Sequence, residues 1–80
     1  MGLNYLIYTH NSGFNFAGAD WDKAMRDRSG GTNIGVVTYY AGGLNYVRFE
    51  KNSPWSGPEM GSINAILRDF VGAVQFVSSN

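Results

Sequence analysis

The sequence predicts an α+β fold, a four-stranded antiparallel sheet with two helices on one face. Three features carry that expectation. Short runs of alternating apolar and polar residues, rich in β-branched and aromatic types, recur along the chain. Two stretches with helical periodicity each lie between such runs. Finally, the pair Gly42-Gly43 joins two of the runs with the chemistry of a two-residue turn.

The elements follow in order. "MGLNYLIYTH" (1–10) sets Leu3, Tyr5 and Ile7 against Asn4, Leu6 and Tyr8, which reads as a strand. Leu3, Tyr5 and Ile7 are expected inward, leaving Leu6, Tyr8 and His10 outward. "NSGFN" (11–15) is turn chemistry. In "FAGADWDKAMRDRSGG", Ala17, Trp21, Ala24, Met25 and Arg28 recur at helical spacing, with Trp21 expected in the core. Asp22 and Arg26 stand four apart with the acid first. Asp20 and Asp22 suit the positive end of the helix dipole, Arg26 and Arg28 the negative end. Gly30 and Gly31 then stop the helix.

"NIGVVTYY" (33–40) and "LNYVRFEK" (44–51) are the second and third strands. A two-residue turn between them places Tyr39 opposite Tyr46, Val37 opposite Arg48, Thr38 opposite Val47 and Val36 opposite Phe49. Gly35, inside a strand, suggests a bulge or a close backbone approach. After the loop "NSPWSG" (52–57), Ser56 and Glu59 have capping-box spacing and Pro58 suits a first helical turn. Met60, Ile63, Leu67, Phe70, Val71 and Val74 follow one helical face, and Gly72 is a C-cap. "AVQFVSS" (73–79) closes the chain as a fourth strand. The order is the ferredoxin-like split βαβ pattern, βαββαβ, in one domain spanning 1–80.

Composition limits the function classes. At 80 residues, with 44% hydrophobic and 15% aromatic side chains, the chain can build one small core. It has no cysteine, which excludes disulfides and thiolate metal sites and fits a cytoplasmic protein. No stretch approaches ~18 consecutive apolar residues, so no membrane span is expected. Nor does the start show a basic segment followed by an apolar run, so no signal peptide is expected. Six basic side chains balance six acidic ones, without the basic surplus usual in nucleic-acid binders.

Two helices can cover only one face of such a sheet. The hairpin register sends Val36, Val47 and Phe49 to the helix side, and Val37, Tyr39, Leu44, Tyr46 and Arg48 to the open side. With Tyr8 and His10 from the first strand, these form the candidate binding surface, since an exposed aromatic patch usually marks an interaction site. Trp55, in "SPWSGP", either folds back as a lid on the core, the favoured reading, or projects as a binding anchor. It is kept among the candidate residues. The edge of the second strand carries neither charge nor proline, so a partner strand could pair there. The expected function is non-enzymatic protein binding, with homodimerisation as one way to cover the open face.

Catalysis and metal binding find little support. His10 is the only histidine, and the acids show no ligand-like spacing around it. None of the glycines falls in a phosphate-binding G-x-x-x-x-G-K-[ST] pattern. No cofactor, metal or catalytic residue is therefore expected.

The stretch "GGLNYVRFE" (42–50) resembles the third-strand signature of RNA-recognition-motif domains through Gly43, Tyr46, Val47 and Phe49. "IYTHN" (7–11) is similar to that family's first-strand signature. Gly42 stands where the family has a basic residue, and Leu44 where it has an aromatic. The resemblance implies a single-stranded RNA-binding module with Tyr8 and Tyr46 as stacking residues. In size and style the chain also resembles the small inhibitors encoded by phages, such as anti-CRISPR proteins, which implies inhibition of a host protein complex.

Overall fold

The computed structural model describes residues 3–11, 18–29, 34–72 and 74–79. It is an α+β fold with the elements β1 (Asn4–His10), α1 (Ala19–Arg28), β2 (Gly35–Ala41), β3 (Leu44–Lys51), α2 (Gly57–Val71) and β4 (Gln75–Ser79). The strands form one antiparallel sheet in the order β2-β3-β1-β4.

The glycine pair reverses the chain as its sequence requires. Gly42 and Gly43 take φ of 60° and 82°, left-handed values that a side chain would strain. The turn fixes all four expected hairpin pairs, from Val36–Phe49 to Tyr39–Tyr46. Period-two alternation then buries Asn45, Val47, Phe49 and Lys51 of β3, and leaves Leu44, Tyr46, Arg48 and Glu50 on the other face. Gly35 makes no bulge. It pairs with Glu50, whose side chain fills the space that a Cβ at Gly35 would need, only 3.0 Å from it.

The first strand corrects the expected orientation. Leu6 and Tyr8 are buried, at 0% and 3% exposure, so Tyr5 and Ile7 lie on the opposite face. The physical reason is the strand's own composition. Residues of both parities are apolar, so alternation does not select a face, and a one-residue slip in phase reverses every side chain. Its pairing with β3 makes the choice, placing Leu6 opposite Phe49 and Tyr8 opposite Val47.

The core is the covered face of the sheet together with the apolar stripes of the helices. Leu6, Tyr8, Val36, Val47 and Phe49 pack with Met25 of α1 and with Ile63 and Leu67 of α2. Trp21 is only partly buried, edge-on to Phe70 at 5.8 Å between ring centroids.

Helix α2 starts on a complete capping box. The Ser56 side chain accepts from the Glu59 amide at 3.2 Å, and the Glu59 carboxylate accepts from the Ser56 amide at 3.0 Å. Gly72 ends the helix at φ 80°, so Val74 lies beyond it rather than on its face, though still packed against the core. Helix α1 differs from expectation in its charges. Lys23 and Asp27 make the four-apart ion pair at 2.8 Å, while Asp22 turns to β2. The expected turn at 11–15, Ala17 and the Gly30-Gly31 stop lie wholly or largely outside the described residues, as does Ala73 of the fourth strand.

Candidate binding face

Tyr39 and Tyr46 lie opposite each other on β2 and β3, on the side of the sheet away from the helices. Their rings stack in parallel, with centroids 4.8 Å apart and planes 2° from coplanar. Such a cross-strand aromatic pair contributes about 0.5–1.5 kcal/mol beyond simple burial. Two residues along β3, the Arg48 guanidinium lies 5.1 Å from the centre of the Tyr5 ring. Its Nε is also 3.4 Å from a Glu50 carboxylate oxygen. That nitrogen is buried without a hydrogen bond. The pair therefore neutralises the patch without binding Arg48 in the fork geometry a carboxylate can offer.

Ile7 and Val37 flank Arg48 on either side, both directly opposite it in the ladders. The result is a continuous half-exposed surface of three phenolic rings and two aliphatic side chains around one compensated arginine. At its turn end, Leu44 and Thr9 join His10 and Asn11 in lining a cavity of about 440 Å³.

Four of the seven sequence-derived candidates thus share the open face: Tyr39, Leu44, Tyr46 and Arg48. His10 lines the end cavity with Leu44, but it pairs with the buried Asn45 and is in phase with Leu6 and Tyr8. The register therefore assigns it to the helix side and not to the open face that the sequence suggested. The other two are elsewhere. Tyr8 lies beneath the helices, edge-on to Phe49 at 6.3 Å and to Phe76 at 5.2 Å, and burial pushes its phenol above the usual tyrosine range.

Trp55 is a lid rather than a projecting anchor. Its indole N–H donates to the Asn4 carbonyl at 3.0 Å, and the Lys51 ammonium sits 4.6 Å from the ring centre. Lys51 also pairs with Glu59, which holds that carboxyl down at about 2. Tyr5, Ile7 and Glu50 were missed. The signal available for Tyr5 and Ile7 was the hairpin's own parity, extended across the β1–β3 ladder.

The second-strand edge is not the open template that its composition suggested. The Thr38 amide, which points away from β3, donates to the Asp22 carboxylate of α1 at 2.8 Å, and the Thr38 hydroxyl donates to the same oxygen. A charge-assisted bond closes the middle of that edge from within the chain.

Among the described residues no three His, Cys, Asp or Glu side chains come together to hold a metal. No helix among them is long and apolar enough to cross a membrane. No protein-family model, curated protein or solved structure matches the chain.

Proposed function

We propose that this chain is a non-enzymatic interaction domain that docks another protein onto the sheet face bearing Tyr5, Tyr39 and Tyr46. The carrying observation is the composition of that face. It is neutral and aromatic, with one arginine at its centre, which is the make-up that distinguishes the cores of protein interfaces. The sheet order supports a ferredoxin-like reading of the fold, in which both crossover helices pack on the same side and leave this face to a partner. We favour an inhibitor of a larger protein complex, similar in style to the small inhibitors of phages.

Single-stranded RNA binding finds less support. Its two proposed stacking rings, Tyr8 and Tyr46, belong to opposite faces of the sheet. Tyr46 already uses one ring face on Tyr39, and the only cation on the patch is offset by Glu50.

The test is capture of partners from extract of the source cells, with and without nuclease, using the wild-type chain and Tyr46→Ala. The reading expects a nuclease-resistant partner that Tyr46→Ala loses. Capture that requires nucleic acid, or that survives Tyr46→Ala and Tyr39→Ala together, removes it. Light scattering across micromolar concentrations separates a self-partner from a foreign one, since a dimer has twice the 8.8 kDa mass.

A further inference from the structure

The two edges of the sheet are treated differently. Helix α1 lines the β2 edge and Asp22 occupies its Thr38 amide. Neither helix lines β4 in that way, and all five of its residues are exposed. The strand carries no charge and no proline. Two large apolar side chains stand out from it, Phe76 at 43% and Val77 at 50% exposure.

Between β4 and α2 runs an open groove of about 310 Å³. Tyr8 and Phe76 form an aromatic wall, their rings edge-to-face at 5.2 Å. Met60, Gly61, Asn64 and Arg68 line it from α2, being neighbours on one helical surface.

Two of these helix positions point to an occupant. Gly61 sits in the second turn of a 15-residue helix, where glycine costs about 1 kcal/mol relative to alanine. A Cβ there would meet nothing within 4 Å, so the fold itself has no use for the missing side chain. Its absence keeps the groove deep. Arg68 is the groove's one charged residue and takes part in no ion pair among the described residues, whereas its neighbour Asp69 is paired with Arg28 at 3.2 Å.

We propose that this groove binds an extended segment of a partner protein carrying an apolar, preferably aromatic, side chain close to a carboxylate. The apolar group seats on Phe76 and Met60 above Gly61, with the edge of the buried Tyr8 ring at the groove floor. The carboxylate meets the Arg68 guanidinium, with the Asn64 amide beside it. The segment's backbone runs along β4, the mode by which extended peptides extend a sheet. The β-bulge at Val77, which interrupts the β1–β4 register between Ile7 and Tyr8, limits regular strand pairing. Side-chain anchoring in the groove therefore carries most of the affinity. This site lies on the helix side of the sheet, apart from the tyrosine face.

The probe is a set of fluorescein-labelled strand-forming nonapeptides of Thr, Ser and Val with one Phe and one Asp, the spacing between the two varied. Fluorescence anisotropy reads binding to the full chain. One spacing is expected to bind best. Arg68→Glu should weaken it at least roughly tenfold and favour the counterpart with Lys in place of Asp. Gly61→Leu should abolish binding while the melting temperature holds or rises, which separates groove filling from unfolding. Tyr39→Ala should leave the peptide affinity unchanged, so failure of the tyrosine face does not affect this result. Three results would overturn the proposal: no binding at about 1 mM peptide, affinity indifferent to Arg68→Glu and Gly61→Leu, or a concentration-dependent dimer that Gly61→Leu dissolves. The last would make the occupant a second copy of the chain.

Discussion

The two faces of the sheet are built from alternate residues of the same strands, yet they differ in kind. The covered face is largely apolar and fully buried at its centre: Leu6, Val47 and Phe49 are at or near zero exposure. The open face carries tyrosines, an arginine and a glutamate, each half-buried by its neighbours. One face is filled by the chain's own helices. The other is braced by ring–ring and cation–π contacts that keep it ordered without covering it. The difference separates stability, held by the first face, from the recognition that we propose for the second.

Substitution on the two faces should break or sharpen that contrast. Phe49→Ala removes a ring at 0% exposure that contacts both helices' core, and should lower unfolding free energy by about 3–5 kcal/mol in urea titration. In a domain this size such a loss unfolds much of the population. Tyr46→Ala, on the opposite face of the same strand, should cost less, about 2 kcal/mol from the ring pair and the partial burial together, while removing partner binding. Similar losses from both would mean the two faces share the structural load.

Next in size is Asp22→Ala, which frees the β2 edge. The loss of its bonds to Thr38 should cost about 1.5–3 kcal/mol and speed hydrogen exchange at the Thr38 amide. Unchanged exchange there would show that the edge is closed by something other than Asp22.

A smaller effect comes from the helix cap. Ser56→Ala should lower stability by about 1 kcal/mol in the same titration. The companion Glu59 adds a pH signature. Its folded-state value, about 2, lies below the ordinary 4.5, chiefly through the Lys51 hydrogen bond. The stability it supplies is therefore complete above pH 4.5 and is lost as pH falls from there through about 2. Glu59→Gln should flatten the acid limb of the stability–pH curve over that interval. The smallest change belongs to the exposed Lys23–Asp27 pair, where Lys23→Gln should shift stability by less than about 0.5 kcal/mol.

Sequence and structure agree best where local chemistry leaves one choice. Gly42-Gly43 allow a left-handed two-residue turn, the turn sets the register, and the register assigns every hairpin residue to a face. The Ser56–Glu59 box and Gly72 likewise bound α2 from local rules. Agreement fails where a choice is made at long range. Tyr5, Leu6, Ile7 and Tyr8 are all apolar, so only pairing with β3 decides that Tyr8 goes in and Tyr5 goes out. The bond from Trp55 to the Asn4 carbonyl spans 51 positions, and the one from Thr38 to Asp22 spans 16. No local pattern encodes either. The candidate site therefore kept its hairpin half and exchanged its first-strand half.

Chemical nitration of tyrosines, read residue by residue by mass spectrometry, tests the division most directly. In the free chain at a dilution where it is monomeric, Tyr39 and Tyr46 should react along with the exposed Tyr40, while Tyr8 stays protected. Bound partner should then shield Tyr39 and Tyr46 and leave Tyr40 reactive. Reaction of Tyr8 as fast as Tyr40, or a bound-state pattern identical to the free one, would contradict the account.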